Sequence, residues 1–199
     1  MSPRTGVRLV TIFSAVVLAF FLFGDWLARR DAPEPLAWYE TYRESLWQPI
    51  QDRSLTLLQA DQALGRGHLW MISADGEPAL VSRYNLESDD RLWQAQAVIG
   101  LGAEEMESLV EAQAWEPGIR DQPVSPAVGE ALGDRQILRM SMIPVEPLEL
   151  NRIEGTFGSP DVRMPVSEGE AWVYPRAGAV VAVGEEEAFS IMFGLRDES

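Results

Sequence analysis

The longest apolar run of the chain lies close to its amino terminus. From Leu9 to Gly24 there are 16 residues without a charge, and extending the run to Ala28 gives 20 residues. A helix of that length spans about 30 Å, which matches the hydrocarbon layer of a bilayer. The pattern predicts a transmembrane anchor over residues 9–28, with Trp26 as an aromatic residue at the membrane interface.

Two alternatives to an uncleaved anchor remain open. A buried helix of a soluble domain would usually carry a polar stripe, which this segment lacks. A signal peptide cut after Gly24 would place Leu22 at the −3 position, where small residues are normal. We expect residues 1–8 to be a short cytoplasmic tail, because a signal-anchor commonly exports the large domain behind it. The protein is therefore predicted to be a single-pass protein of the inner membrane, with its carboxy-terminal domain in the periplasm.

The remainder of the chain alternates between two hydrophobic periodicities. Residues 29–35 are predicted to be a linker and residues 36–199 an extracytoplasmic domain, either undivided or split into subdomains 36–115 and 126–199. Helical spacing predicts helices in an aromatic segment that includes Tyr39, Tyr42 and Leu46, over 52–64, over 102–115 and after Pro147. Strand-like runs predict a hairpin at 68–84 around Asp75-Gly76 and further strands at 93–99, 137–143, 170–175, 179–183 and 188–193, with a proline-containing loop at 116–127.

These elements predict an α+β domain with a mostly antiparallel sheet and a few short helices. Within it, three stretches share a helix-like run, a glycine and then an extended run. We expect the three glycines, Gly65, Gly133 and Gly158, to end helices in the left-handed conformation. An internal duplication stays open, because the sequence similarity between these stretches is thin.

The aromatic segment that follows the linker has two interpretations. It either packs onto the domain or binds a partner protein. The second interpretation makes its large aromatic residues candidate partner-binding residues, namely Trp38, Tyr39, Tyr42 and Trp47.

Charge narrows the classes of partner. The chain has 31 acidic residues against 16 basic ones, all of them arginine, and a net charge of −15. Such a surface repels nucleic acid, so no nucleic-acid partner is expected. Three consecutive acids, Glu185, Glu186 and Glu187, are placed at a hairpin tip, where they either remain solvated or bind a basic partner.

The sequence offers little chemistry for catalysis. It contains no cysteine and a single histidine, His68. It has no zinc-ligand spacing, phosphate-binding loop or EF-hand pattern. The acidic run at 87–91 is interpreted as a turn, with a calcium site as the alternative. We predict no catalytic, cofactor-binding or metal-binding residue.

The carboxy-terminal part of the chain is similar to a known family. Residues 147–193 contain a helix, the Gly158-x-Pro160 motif and a hairpin with Trp172 and Tyr174. This pattern resembles the small BamE/SmpA-type envelope lipoproteins, which assist outer-membrane protein assembly as non-enzymatic subunits. The resemblance implies a similar local fold and a periplasmic setting, although this chain has no cysteine for lipidation.

The expected function follows from the anchor and from the missing chemistry. We expect a non-enzymatic envelope protein, held in the lipid bilayer by residues 9–28, that binds another envelope protein in assembly or regulation. The alternatives are a carboxylate-based glycan hydrolase and a glycan- or solute-binding module. Two convergent acids in a cleft would favour the hydrolase, and a concave pocket lined by tryptophan would favour the binding module.

Overall fold

The computed structural model describes residues 34–74, 76–116, 118 and 120–194. Within these ranges no helix is long and apolar enough to cross a membrane. The predicted tail 1–8, the predicted anchor 9–28 and most of the linker lie outside the described residues. The described residues from Pro35 onward form one compact unit.

Ten strands of the described chain form one sheet, and every strand pairing in it is antiparallel. The strands are β1 (His68–Ala74), β2 (Glu77–Ser88), β3 (Arg91–Ile99), β4 (Gln122–Pro123), β5 (Ile137–Pro144), β6 (Leu148–Glu149), β7 (Val162–Val166), β8 (Gly169–Tyr174), β9 (Ala179–Val183) and β10 (Glu187–Phe193). Their order is β4-β1-β2-β3-β5-β10-β9-β8-β7, with β6 pairing to β10. The predicted α+β fold with a mostly antiparallel sheet is confirmed.

Short helices complete the domain. They are α1 (Ala37–Thr41), α2 (Gln48–Gln51), α3 (Leu57–Leu64), α4 (Ala103–Gln113), α5 (Pro126–Ala131) and α6 (Leu150–Phe157), with a π-helical turn at Arg43–Trp47 and a 3₁₀ turn at Pro175–Ala177. The sheet is continuous across the two subdomains that the sequence left open, because β3 pairs with β5. The β5–β10 pair joins two halves of the sheet. In chain order, α3 precedes the strands of one half and α6 precedes β7 to β10 of the other.

The core lies between the helices and one face of the sheet. Cross-strand pairs place Trp93, Ala95 and Ala97 of β3 on the same face as Met142 and Met140 of β5. All five residues are buried. Helix residues complete this cluster, among them Trp38, Leu46, Trp47, Ala60 and Ile153. We call the helix-covered side the inner face of the sheet.

The aromatic segment enters the core through an irregular helix. Leu46 N and Trp47 N both donate to the carbonyl of Tyr42, which widens the turn and directs two successive side chains inward. Pro49 does not end this helical segment, because it lies in the first turn of α2, where its missing N–H is tolerated. Of the two interpretations of this segment, the structure shows packing onto the domain.

Helix α3 begins later than predicted. Residues 52–56 are not helical, and Thr56 is the N-cap: its Oγ1 accepts from Gln59 N, and Gln59 Oε1 accepts from Thr56 N. Leu55 is instead tied to Ile137, whose N–H donates to the Leu55 carbonyl. This capping box was visible in the sequence as Thr-x-x-Gln, and it was missed.

Two of the three helix-ending glycines have the expected sign of φ. Gly65 follows α3 with φ +84°, and Gly158 follows α6 with φ +79°. Both have ψ near 180°, so they are not in the left-handed helical region that was predicted but in a region open essentially to glycine alone. The prediction for Gly133 is wrong. It has no positive φ, and its carbonyl accepts from Leu58 N at the start of α3.

The turn between β2 and β3 contains two aspartates with positive φ. Asp89 has φ +57° and Asp90 has φ +55°, and Ser88 pairs with Arg91 across them. This is the two-residue hairpin loop that glycine and asparagine favour. Asp89 is held by other contacts: its carboxylate accepts from Ala37 N and forms an ion pair with Arg152.

We expect Asp90→Gly to raise the free energy of unfolding by about 0.5–1 kcal/mol, because glycine removes the backbone strain of a positive φ. Asp89→Gly relieves the same strain but removes the ion pair with Arg152, in which both side chains are mostly buried. We expect it to lower the free energy by about 1–3 kcal/mol. Urea denaturation of the two variants checks this. Equal effects of the two substitutions would contradict it.

Candidate functional site

One pocket lies at the β1 end of the inner face of the sheet. It has a volume of about 540 Å³ and is partly open to solvent. Helix α3, the β1 strand, the short β4 strand and helix α5 surround it. Its walls are mainly apolar, and they include Leu57, Leu69, Pro123, Val124 and Pro126. The volume is within the range of small-molecule sites.

A small polar cluster forms one side of this pocket. Asp61 Oδ1 accepts a hydrogen bond from the Tyr84 hydroxyl at 2.8 Å and another from Gly67 N at 3.2 Å. Burial raises the pKa of the Tyr84 hydroxyl, so this group stays protonated and remains a donor to Asp61. The Asp61 carboxylate is therefore anchored in place by β2 and by the turn that precedes β1.

Ser82 lies beside this cluster. Its side chain is on the inner face of β2, and the residue is only 1 % exposed. The Ser82 hydroxyl is close enough to the Tyr84 hydroxyl to lower that group's pKa, against the larger effect of burial. The Ser82 oxygen has essentially no accessible surface, and the Tyr84 hydroxyl is its polar neighbour, in a geometry short of a regular hydrogen bond.

Charged side chains of the pocket lie at its rim. Arg66 and Glu130 form an ion pair at 2.5 Å, and both side chains are largely exposed. His68 also lines the pocket and is exposed at the start of β1. Trp70 also borders the pocket, but the pairing register directs its ring to the opposite face of the sheet, where the Arg83 guanidinium lies 5.2 Å from the ring centroid. The rim of the pocket is thus polar and close to neutral in charge. Its interior is apolar apart from the polar cluster of Asp61 and Tyr84 and the neighbouring Ser82.

The predicted partner-binding residues of the aromatic segment differ in how far they are buried. Trp38 and Trp47 are core residues, 1 % and 2 % exposed, so their side chains are not available to a partner in the folded chain. Tyr39 is half-buried and lines a smaller hollow of about 420 Å³ next to Phe157, and Tyr42 is half-buried against the core. The two tryptophans of the segment therefore serve core packing.

The acidic triplet is where the sequence placed it. Glu185 and Glu186 are exposed in the turn between β9 and β10, and Glu187, also exposed, is the first residue of β10. The acidic run at 87–91 forms the β2–β3 turn, with Asp89 paired as described above. Within the described ranges, no three acidic or histidine side chains are grouped so that they could hold a metal ion.

A second surface was not foreseen from the sequence. On the side opposite the helices, the pairing register aligns residues of β7, β8, β9 and β10 in rows. They are Val162, Met164, Val166, Ala171, Val173, Val180, Ala182, Ser190 and Met192. We call this set the open sheet face. The alternation of side chains along each strand shows which residues share a face. The sequence alone does not show which strands are neighbours, so it could not reveal this combined surface.

The open sheet face differs from the rest of the chain in composition. None of its residues is acidic, although the chain has 31 acidic residues. Val162, Met164 and Val166 on the edge strand β7 are 46–51 % exposed. The other residues of the set are half-buried by their neighbours in the sheet. Contiguous exposed apolar surface is a common feature of protein interaction sites.

Comparison with known proteins adds no assignment. The chain matches no protein-family model, no curated protein and no solved structure. The resemblance of residues 147–193 to BamE/SmpA-type lipoproteins therefore stays a prediction. Its local elements are present in the structure: α6, Gly158 with a positive φ and the strands that follow.

Proposed function

We propose that this protein is a single-pass, membrane-anchored envelope protein whose periplasmic domain binds another protein through the open sheet face, without enzymatic activity. The anchor at 9–28 and the orientation rest on the sequence. The binding surface rests on the structure. The role is assembly or regulation, as expected for a tethered domain that holds a second protein near the inner membrane.

The observation that carries the proposal is the open sheet face. Apolar side chains exposed on one side of a sheet usually pack against a second layer, because burial stabilises by about 25 cal/mol per Å² of apolar area. Here the described helices pack on the inner face. A partner protein that presents an apolar surface would supply the missing layer.

Charge indicates which kind of partner fits. The acidic surface elsewhere on the domain repels anionic partners, whereas the open sheet face contains no carboxylate that would have to be desolvated. Pro165 on the edge strand β7 has no N–H, so this edge is a poor template for a continuous added strand. Packing onto the face is therefore favoured over strand addition.

The structure gives the alternatives less support. The two pocket acids that a hydrolase could use are engaged, Asp61 by Tyr84 and Gly67 and Glu130 by Arg66. A glycan platform needs exposed aromatic rings, but five described tryptophans are buried, namely Trp38, Trp47, Trp93, Trp115 and Trp172. Trp70 alone among the described tryptophans is half-exposed.

The test uses a photo-crosslinking amino acid in the full-length protein. At Met164 we expect ultraviolet light in living cells to produce one reproducible adduct with another protein, which stays in the membrane fraction after a carbonate wash. The matched control position is Val145, which is 64 % exposed in a loop outside the open sheet face. There the same adduct should be absent.

A charge substitution shows whether the adduct reports a specific complex. Met164→Glu places a carboxylate on the open sheet face and should reduce copurification of the same partner at least tenfold, because the acid would be buried unpaired. Val145→Glu should leave it unchanged. Adducts with a second copy of the chain alone, or a complex insensitive to Met164→Glu, would refute this function. Loss of the protein from carbonate-washed membranes would refute the anchor.

A further inference from the structure

The hollow of about 420 Å³ that Tyr39 lines next to Phe157 is not used by the proposed function. We infer that it binds a small dipolar molecule with one cationic group, one anionic group and an apolar body, namely a neutral α-amino acid with an apolar side chain. The inference is carried by two unpaired, opposite charges and by the aromatic rings between them. It does not depend on the open sheet face.

Two turns of the backbone shape the hollow. Helix α6 ends at Phe157, and Gly158 then has φ +79° and ψ −164°, a conformation open essentially to glycine, so the chain turns here without a side chain. Asp161 N donates to the Val173 carbonyl at 3.1 Å, which fixes this first turn against β8. The second turn is the 3₁₀ turn at Pro175–Ala177, directly after β8. Each turn places one charged side chain at the hollow.

These two side chains have opposite charges. Asp161 lines the hollow from the first turn and Arg176 lines it from the second, and both are exposed. Within the described ranges, neither side chain forms an ion pair with another residue. The neighbouring charges, Glu154 and Arg163, pair with each other at 3.5 Å. A dipolar molecule can satisfy both free charges at once, whereas a simple anion or cation is repelled by one of them.

Aromatic rings supply the apolar part of the hollow. The Phe157 ring lies between two tyrosines, with centroids 4.9 Å from Tyr39 and 5.2 Å from Tyr174. Phe157 and Tyr39 are only partly buried, so their rings offer apolar area that a ligand can cover. This lining favours an amino acid with an apolar side chain over glycine or a polar amino acid.

The hydroxyl groups of the hollow do not determine the ligand. The Thr156 hydroxyl is engaged, since it accepts from Leu36 N at 2.8 Å and donates to the Arg152 carbonyl at 2.7 Å. The Tyr174 hydroxyl has essentially no accessible surface. Selection by polar contacts therefore falls to the two charged side chains. The net charge of −15 on the chain also disfavours free anions, but it does not act against a molecule without net charge.

The experiment uses the full chain in phosphatidylcholine nanodiscs, with L-phenylalanine as the probe. The methyl NMR signal of Ala177, which lines the hollow, is followed, because saturable shifts of a protein signal distinguish binding here from partition into lipid. We expect saturable shifts with L-phenylalanine. Phenethylamine lacks the carboxylate, 3-phenylpropionate lacks the ammonium group and glycine lacks the apolar body. Each of the three should bind more weakly by a factor of about ten or more.

Two substitutions separate the two charges. Arg176→Gln should weaken binding of L-phenylalanine about tenfold, but not that of phenethylamine, which has no carboxylate to lose a partner. Asp161→Asn should weaken binding of L-phenylalanine by a similar factor, but not that of 3-phenylpropionate. The matched controls are Arg139→Gln and Asp134→Asn, which remove exposed charges outside the hollow. Both controls should bind L-phenylalanine like the wild type.

Several results would overturn the inference. These are the absence of saturable shifts with L-phenylalanine, phenethylamine or 3-phenylpropionate binding as tightly as L-phenylalanine, and a folded Arg176→Gln or Asp161→Asn variant with unchanged affinity. Tighter binding of D-glucose would indicate a glycan site and would overturn it too. Methyl signals remote from the hollow report whether each variant is folded. If a variant does not fold, the comparison of the four probes on the wild type still decides the outcome.

Discussion

Phe193→Ala is expected to lower the free energy of unfolding by about 3–5 kcal/mol. Phe193 is fully buried at the end of β10, where its ring stacks on Trp47 with centroids 4.2 Å apart and an interplanar angle of 18°. Trp38 contacts the same ring edge-on, with centroids 6.1 Å apart. Truncation removes these contacts and leaves a cavity that the surrounding rings cannot close.

The same strand offers a matched control. Phe189 also lies on β10 but is 46 % exposed, so Phe189→Ala should cost less than about 1 kcal/mol. Chemical denaturation followed by tryptophan fluorescence measures both variants. Similar losses for the two phenylalanines would show that the aromatic cluster around Phe193 does not carry the core.

The location of this cluster connects stability with function. Trp38 and Trp47 lie near the start of the described chain, and Phe193 lies near its end. Their contacts hold the amino-terminal segment against the centre of the sheet, beside β10 and β5. We therefore expect Phe193→Ala also to expose residues 36–51 to protease, whereas Phe189→Ala should not.

Gly169→Ala is expected to lower the free energy of unfolding by about 2–4 kcal/mol. Gly169 begins β8 with φ +135°, and a Cβ atom there would lie 2.1 Å from the carbonyl oxygen of Val183. That oxygen belongs to the neighbouring strand β9, so the clash is with backbone and cannot be relieved by a rotamer change. Both the positive φ and the contact oppose any side chain.

The control is a glycine without these constraints. Gly133 has no positive φ, and its nearest atom to a built Cβ is Leu58 Cβ at 3.6 Å. Gly133→Ala should therefore be neutral or stabilise by up to about 1 kcal/mol, because alanine restricts the unfolded chain. Thermal unfolding compares the two. A tolerated Gly169→Ala would mean that β8 and β9 separate at this end at little cost.

Local signals were enough for many elements of the sheet. The Asp75-Gly76 dipeptide predicted the β1–β2 hairpin, and the structure has Gly76 at φ +87°. The apolar run 179–183 coincides with β9. These predictions succeed because turn chemistry and strand alternation act between residues close in sequence.

Other elements depend on distant partners. Residues 52–56 have helical periodicity, but Leu55 accepts from Ile137 N and Leu57 N donates to the Arg135 carbonyl, so this segment pairs with another strand before the helix begins. The loop predicted at 116–127 because of its prolines extends too far, since helix α5 already begins at Pro126 within it. The rest of α5 lies in the helix-like run predicted before Gly133. Pro126 occupies the first turn behind the Ser125 N-cap, where proline is tolerated.

The candidate sites show the same division. The sequence identified Trp38 and Trp47 as conspicuous, but it could not distinguish a core aromatic residue from a binding one, because both are large and apolar. It also passed over the polar cluster of Asp61, Gly67 and Tyr84, because only the fold brings Tyr84 of β2 beside Asp61 of α3.

By itself the sequence determined the acidic character of the domain and an α+β architecture, since these depend on composition and on short-range periodicity. The anchor at 9–28 stays a prediction. Only the tertiary structure decided which apolar residues are core and which remain on the open sheet face. The physical reason is that strand order and register are set by contacts between residues far apart in the chain. Alternation within a strand tells which residues share a face. Which of the two faces is covered depends on the neighbouring strands and on where the helices pack.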